Sequence, residues 1–208
     1  MKTPLAIAEK LAPIIIGKIS RRPPDFIVGA DNPDGPYLLR WYVTPWRRWR
    51  AQADTNPTRW NRCKAAAARM LPNLYLHCFQ RDDEDRALHD HPSFAVSYIL
   101  RGAYIEHTIA DGGIHHRNLF IAGTLRYLPA KKAHRVELFN IDTVFVQTGP
   151  NAWDARGCSP KKAHAWTIFM FGPTLREWGF HCPQRGWVHW ETFTAADKPG
   201  EVGKGCDA

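Results

Sequence analysis

The chain of 208 residues is 44% hydrophobic and 12% aromatic, a composition that can bury a sizeable core and predicts that the chain folds. Its formal net charge of +8 belongs to the first third, because residues 1–72 hold 13 Lys and Arg against 5 Asp and Glu, whereas residues 73–208 hold 15 of each. Such an asymmetry favours an acidic partner, for example nucleic acid, for the N-terminal third. No apolar run is long enough to span a membrane, which excludes a membrane-spanning helix.

The cysteines are odd in number and show no Cys-X-X-Cys spacing: Cys63, Cys78, Cys158, Cys182 and Cys206. Residues 1–20 resemble a secretory leader only superficially, because Glu9 and Lys10 interrupt the apolar run. We therefore expect reduced thiols in a cytoplasmic protein rather than a disulfide framework.

The N-terminal third begins with a helix pattern. Apolar residues three to four positions apart predict a short amphipathic helix over residues 3–16. Residues 21–36 are rich in Pro, Gly, Asp and Asn and predict a loop, and the β-prone run 38–43 predicts a strand. Residues 59–70 predict a second short helix inside an insertion at 50–72.

A basic run interleaved with tryptophan follows the first strand, and it comprises Trp46, Arg47, Arg48, Trp49 and Arg50. Arginine can contact phosphates and tryptophan can stack on bases, so one interpretation is binding of single-stranded nucleic acid. The other is a solvated loop whose tryptophans dock on the folded domain. Both interpretations stay open at this point.

From residue 73 onward the pattern changes to short strands separated by turns. Strands are predicted at 74–79, 94–101, 103–109, 119–121, 125–128, 135–139, 143–148, 166–173 and 187–193. The charged run 81–86 is interpreted as a solvated turn, and residues 151–163 as a polar excursion. Many short strands with regular turns predict a barrel or a double-sheet jelly roll.

Two stretches carry the chemistry. His89 and His91 are separated by one residue and lead into an apolar run that stops at Gly102. On a strand, residues i and i+2 point to the same face, so the two imidazoles can aim at one point, and a metal ion is a common reason for that arrangement. In the second stretch Gly123 is followed by five residues, then Pro129, and His134 comes five positions after the proline.

Together the two stretches resemble the paired motifs of the cupin superfamily. The resemblance implies an all-β, cupin-like double-stranded β-helix (a jelly-roll barrel) preceded by an N-terminal helical and basic arm. It also implies one divalent metal ion bound by His89, His91 and His134. Two positions depart from the family pattern, since Ala95 stands where the ligand glutamate is expected and Lys131 where the second motif has glycine.

Without the glutamate the predicted ligands are three neutral imidazoles, a set that resembles the Fe(II) site of some cupin-type dioxygenases. Zn(II), Ni(II) and Cu(II) also suit imidazole nitrogen, and the sequence does not choose among them. Glu106, which shares a strand face with Tyr104, is a candidate fourth ligand or general base if that face points inward. The alternative is that Glu106 lies on the outer wall.

Three functions remain open at the level of sequence. The first is a small-molecule oxygenase of the three-histidine type, in which Tyr104 and Glu106 are candidate catalytic residues. The second is a non-catalytic cupin module that binds a ligand or, through its basic arm, nucleic acid. The third is a metal-free, isomerase-like cupin. A homodimer is an expectation by analogy with other cupins.

A closer resemblance joins the segment His89 to Pro92, the segment His134 to Leu138, and the Gly-Pro-X-X-Arg-Glu-Trp-Gly-Phe stretch at 172–180. This combination resembles uncharacterised cupin-type proteins of phage and bacterial genomes. The predicted organisation is an N-terminal helix, arm and insertion at 1–72, a cupin barrel at 73–193 and a flexible tail at 194–208.

Overall fold

The computed structural model describes residues 4–83, 87–149, 152–156, 159, 161–195 and 203–207. Cys158, residues 84–86 of the charged run, residue 3 of the predicted first helix and residues 196–202 of the predicted tail lie outside them. Within the described residues the helices are α1 (Pro4–Ile19), α2 (Trp46–Thr55), α3 (Arg59–Met70) and α4 (Trp190–Phe193). No helix among them is long and apolar enough to cross a membrane.

The rest of the regular structure is β. The strands are β1 (Phe26–Val28), β2 (Leu38–Tyr42), β3 (Asn73–Phe79), β4 (Leu88–His89), β5 (Ala95–Arg101), β6 (Ala103–Ile109), β7 (His115–Ile121), β8 (Leu125–Leu128), β9 (Arg135–Leu138), β10 (Val144–Gly149), β11 (Ala152–Arg156), β12 (Ala165–Phe171), β13 (Gly179–Cys182) and β14 (Gly186–His189). This confirms the predicted all-β jelly-roll class with an N-terminal helix.

The strands form antiparallel sheets. The largest has six strands in the order β1-β2-β3-β12-β5-β8, and a three-stranded sheet has the order β7-β6-β9. A second three-stranded sheet, β14-β13-β4, carries the first histidine motif, and β10 pairs with β11 alone. In the large sheet, β12 lies between β3 and β5, and β8 lies next to β5. The sheet therefore brings distant parts of the chain together around a common interior.

The outer face of the large sheet is apolar. On β3, Leu76 and Cys78 point outward and pack with Ala12 of α1 and Trp41 of β2. Successive side chains of a strand alternate between faces, so the neighbouring β3 residues line the interior. Helix α1 therefore covers the outer face of the sheet and leaves the inner face free to form a cavity.

The inner core lies between the large sheet and the β7-β6-β9 sheet. It is formed by buried residues of both sheets: Ile99, Tyr104, Val136, Leu138 and Ala165. The β5–β6 hairpin turns at Gly102, whose φ of +82° lies in the left-handed region, and an added Cβ there would approach the carbonyl oxygen of His164 to 2.5 Å. Glycine is required at this turn both for its conformation and for the close approach.

More of the N-terminal third belongs to the β-sheet domain than the sequence indicated. Strand β1 lies within the predicted loop 21–36, and β2 pairs with β3 from Leu38↔Phe79 to Tyr42↔Tyr75. The large sheet therefore continues across the boundary predicted at residue 73. The basic run is a helix, α2, and not a loop, because it pairs with α3 as a helical hairpin.

Two further segments differ from the prediction. The polar excursion at 151–163 contains β11, which pairs with β10 over Val144↔Arg156 and the following positions. The predicted strand 187–193 ends at His189, and the chain then turns into the short helix α4, whose Phe193 is fully buried.

The expectation of reduced thiols is wrong for one pair. Cys182 of β13 and Cys206 form a disulfide across 24 positions of sequence, while Cys63 and Cys78 are free. The disulfide places residues 203–207 of the predicted flexible tail against the barrel, where Gly205 is buried. Two cysteines so far apart carry no local spacing signal, which is why their pairing could not be predicted from sequence.

Candidate metal centre

The first histidine motif lies only partly on a strand. His89 ends the two-residue strand β4, and His91 follows two positions later outside any strand. His89 and His134 are paired in an antiparallel bridge, with each backbone N–H donating to the other residue's carbonyl at 2.9 and 3.0 Å. The backbone N–H of His91 donates to Ala130 at 2.9 Å. Backbone pairing between two distant segments thus brings the three predicted ligands together.

The three imidazole rings converge. One nitrogen of each of His89, His91 and His134 lies within 4.8 Å of the corresponding nitrogens of the other two. The Nε2 atoms of His91 and His134 are 2.9 Å apart. The ring centroids are separated by 5.0 to 5.1 Å in all three pairs. The structure therefore brings together the three histidines that the sequence selected.

The donor set fits a divalent ion. Imidazole nitrogen binds Zn²⁺ at about 2.0–2.1 Å, and two such ligands at a right angle are roughly 3 Å apart. The 2.9 Å separation of the two Nε2 atoms matches that spacing. Two lone pairs at this distance repel each other unless a proton or a metal ion lies between them, so the arrangement has a physical reason to bind a cation.

Carboxylates hold the outward nitrogens of two of the rings. The Asp83 carboxylate lies 2.9 Å from Nδ1 of His89, and Glu106 accepts from Nδ1 of His134. A hydrogen bond to one ring nitrogen fixes the tautomer and leaves the other nitrogen with a lone pair directed at the site. The carboxylates thus orient the ligands before any ion is bound.

Glu106 faces inward and is fully buried, so its placement on the outer wall is excluded. Its carboxylate accepts from Arg126 and from His134 and lies 3.4 Å from the Lys132 ammonium. The Arg126 guanidinium also donates to the Tyr104 hydroxyl at 2.7 Å. Glu106 sits behind His134, on the nitrogen that points away from the other histidines, and is not one of the converging groups.

The ionisation states of two of the three histidines, His91 and His134, suit metal binding. Burial lowers the pKa of His91 well below its usual value, and the neighbouring His134 and His89 act in the same direction. Burial also lowers the pKa of His134, although the hydrogen bond to Glu106 partly opposes it. Burial lowers the pKa of His89 as well, but Asp83 outweighs that effect and the net shift is upward. Near neutral pH, His91 and His134 therefore carry the neutral imidazole that binds a metal.

Glu106 stays ionised despite its burial. Burial raises the pKa of its carboxyl, but the hydrogen bond from His134 and the charge of Arg126 outweigh that effect and lower the pKa to about 2. An ionised carboxylate in an apolar core requires such partners, since an unpaired buried charge is costly.

The three histidines open into a cavity of about 1070 Å³. Its wall is mostly aromatic and aliphatic, with contributions from β2, β3, β12 and α4. The polar groups that reach it include Arg40, His77, Tyr104 and Arg126. An apolar cavity with a few convergent polar groups is typical of small-molecule sites.

No protein-family model matches this chain, and no curated protein matches it by sequence. Solved structures do. The chain is similar to an oxalate oxidase structure with a TM-score of 0.42 and 11% identity, over 84% of this chain and 65% of that one.

Oxalate decarboxylases give similar values. For the enzyme of Bacillus subtilis the TM-score is 0.41, at 13% identity over 78% of this chain and 30% of that one. For the enzyme of Lactobacillus farciminis the TM-score is 0.38, at 12% identity over 68% and 30%. The chain thus spans less than a third of the length of these decarboxylases.

Two residues near the centre, Asp83 and Arg126, were missed by the sequence. Asp83 belongs to the charged run interpreted as a solvated turn, yet it contacts His89. Arg126 links Glu106 to Tyr104. Asp90, between the two ligand histidines, is 2% exposed and accepts from the backbone N–H of Gly179 at 2.8 Å. Alternation along β8 places Arg126 and Tyr127 on opposite faces of the strand, but nothing in the sequence showed which of the two faces is the inner one.

Outside the centre, several other histidines also make specific contacts. His77 lies in the cavity wall and accepts from Nε of Arg40 at 2.9 Å. His107 contacts His115 at 2.8 Å and Glu137 at 2.6 Å on the β7-β6-β9 sheet.

The basic run packs largely against the protein itself. Trp46 and Trp49 stack edge to face at 4.7 Å, and the Trp46 indole N–H donates to Pro72. Arg47 donates to the Tyr42 hydroxyl at 2.5 Å, and Arg50 to the carbonyl of Ala68 at 3.4 Å. Arg48 is exposed.

Proposed function

We propose that this chain is a metal-binding cupin that acts on a small molecule as a three-histidine, metal-dependent dioxygenase. The observation that supports the proposal is the convergence of His89, His91 and His134 at the wall of a cavity large enough for a small molecule. The closer likeness to uncharacterised phage and bacterial cupins, drawn from the sequence motifs, belongs to the same proposal.

The three histidines would hold the ion through the nitrogens not used by Asp83 and Glu106. A bound Fe(II) would supply activation of dioxygen, whereas Zn(II) would supply only a Lewis acid. Three neutral ligands leave the charge of the ion uncompensated, and the ionised Glu106 behind His134 reduces that excess.

The protein residues provide positioning and exclusion of water. Tyr104 lies in the cavity wall, and its hydroxyl is fixed by the hydrogen bond from Arg126. A substrate in the cavity can accept from or donate to this hydroxyl without moving it. The aromatic wall, which includes Phe169, Phe171 and Phe180, excludes bulk water from the apolar part of the substrate.

Metal analysis of protein purified without a histidine tag tests the proposal. We expect one ion per chain in the wild type, less than a tenth of that in His91→Ala, and full content in His116→Ala, which changes an exposed residue on β7. Oxygen uptake by the Fe(II)-loaded wild type, assayed with small diketones and thiols and absent in His91→Ala, would support the dioxygenase. Metal-free, fully folded wild-type protein would contradict it and favour a non-catalytic binding module or a metal-free, isomerase-like cupin.

A further inference from the structure

A second, smaller pocket lies beside the cavity, where strands β2 and β3 meet helix α2. It has a volume of about 100 Å³ and is lined by Arg40, Tyr42, Thr44, Arg47, Arg50, Asn73 and Tyr75. Three of these seven residues are arginines and none is acidic. Three positive charges around so small a space repel one another unless a negative charge lies between them.

The arginines have no carboxylate partner among the residues that the structure describes. Arg40 donates its Nε to His77 at 2.9 Å, and its guanidinium lies over the Tyr75 ring at 5.1 Å. Arg47 donates to the Tyr42 hydroxyl, and Arg50 to the carbonyl of Ala68. These neutral partners position the guanidinium groups and do not neutralise them.

The acidic group close enough to affect Arg47 is already used. The charge of Arg47 contributes to lowering the pKa of Asp25. However, both carboxylate oxygens of Asp25 already accept hydrogen bonds, one from Arg22 at 2.6 Å and one from the backbone N–H of Tyr42 at 2.7 Å. The first turn of α2 adds to the positive field, since it contains no acidic residue and no side-chain cap.

The charges of all three arginines act on one group of the pocket wall, Tyr75. Burial raises the pKa of the Tyr75 hydroxyl, and the charges of Arg40, Arg50 and Arg47 all act on it in the opposite direction. Arg40 and Tyr75 also belong to the wall of the large cavity, so the two spaces adjoin at these side chains.

The geometry points to a phosphoryl-binding site formed by Arg40, Arg47 and Arg50 around Tyr75, which takes a phosphate group of a small molecule. Phosphate is favoured over carboxylate by charge: a phosphate monoester carries about −1.5 to −2 near neutral pH and offers three acceptor oxygens to the guanidinium groups. A carboxylate would leave about two of the three charges uncompensated. The site does not depend on the histidine centre.

Titration of the full-length protein with inorganic phosphate at low ionic strength, followed by calorimetry, tests this inference. A chelator is present throughout, so that phosphate bound to an ion at the histidines does not contribute. We expect one saturable site in the wild type and about a tenfold loss of affinity in Arg47→Gln and in Arg50→Gln, because each removes a charged hydrogen-bond donor. Arg48→Gln, on the same helix but outside the pocket lining, should change the affinity less than twofold.

Thermal melts confirm that the variants are folded, and two further ligands separate the alternatives. Acetate bound as tightly as phosphate would overturn the assignment in favour of a carboxylate site. A single-stranded oligonucleotide that binds without being displaced by phosphate, with Arg48→Gln weakening it as much as Arg47→Gln, would overturn it in favour of a nucleic-acid surface. Absence of saturable phosphate binding overturns it outright.

Discussion

At the scale of single residues, the centre depends on a buried row of hydrogen-bonded side chains behind the ligands. His134 donates to Glu106, Glu106 accepts from Arg126, and Arg126 donates to Tyr104. Arg126 also lies over the Phe120 ring at 3.8 Å. This row connects a ligand histidine to a residue of the cavity wall, so a change at one member affects both metal binding and substrate contacts.

Glu106→Gln should weaken metal binding by 10- to 100-fold, a range typical for loss of a carboxylate that orients a ligand histidine. It should also destabilise the fold by about 3–5 kcal/mol, since it leaves Arg126 buried without its charged partner. Metal titration and urea unfolding measure the two effects. Glu137→Gln on the adjacent strand β9, which pairs with His107, serves as the control. Unchanged metal affinity in Glu106→Gln would contradict the assigned role.

His77 predicts a pH dependence of stability. Burial, assisted by the charge of Arg40, lowers its pKa well below the usual 6.5. As the pH falls below 6.5, the unfolded chain takes up a proton that the folded chain does not, so the free energy of unfolding decreases by about 1.4 kcal/mol per pH unit for this group. In His77→Gln, whose amide can still accept from Arg40, that contribution is absent.

Urea unfolding between pH 7.5 and pH 5 measures the difference. We expect the stability of His77→Gln to fall less steeply than that of the wild type below pH 6.5 and the two to run parallel above it. Parallel curves throughout would mean that the pKa of His77 is the same in the folded and unfolded chains, and would contradict the shift.

The sequence identified the ligands but not the groups that orient them. His89, His91 and His134 lie in motifs of fixed spacing, and backbone geometry then brings them together. Asp83 acts from an irregular segment, where no periodicity indicates which way a side chain points. For Glu106, alternation left two faces open, and only the packing of the β7-β6-β9 sheet against the large sheet made its face the inner one.

At the scale of elements, the strands that have turn-forming residues near both ends were predicted well. Strand β6 and strand β8 match the predicted ranges 103–109 and 125–128, because glycine or proline lies near each of their ends and their composition is β-prone. Strand β7 was predicted only over its last three residues, since His115 to Asn118 are polar and exposed and show no alternation. Strand β1 was missed because it is three residues long and lies among turn-forming residues.

The Cys182–Cys206 disulfide links strand β13 to the segment 203–207. Cys206→Ser should reduce the free energy of unfolding by about 2–4 kcal/mol, the usual effect of removing a loop-closing disulfide. Dithiothreitol should destabilise the wild type to the same extent and leave Cys206→Ser unaffected. Cys63→Ser, which changes an exposed free thiol, is the matched control. No effect of reductant on the wild type would contradict the pairing.

At the scale of the whole molecule, both faces of the large sheet are covered by other elements. Helix α1 shields the outer face of the large sheet, and the β7-β6-β9 sheet with α4 closes the inner face around the cavity. The predicted boundary at residue 73 lies inside this sheet, because the α2–α3 hairpin separates β2 from β3 in sequence and the run of predicted short strands starts only after it.

Metal binding should stabilise the whole fold, because the ligands are assembled only in the folded chain. A divalent ion at a free concentration 100-fold above its dissociation constant should add about 2.7 kcal/mol to the free energy of unfolding. Thermal melts with and without a chelator measure this effect. His91→Ala should melt at the same temperature in both conditions, and a chelator effect of equal size in that variant would place the ion elsewhere.

The backbone bridge between His89 and His134 has a consequence for how the protein assembles. His89 and His134 are 45 positions apart in sequence (134 minus 89), so the chain between them forms a long loop whose ends meet at the bridge. Closing such a loop costs conformational entropy. We therefore expect it to follow the pairing of β5, β6 and β8 with their neighbouring strands, which shortens the flexible part of the loop. The histidine cluster is therefore expected to form among the last events of folding, and its formation would report that the barrel has closed.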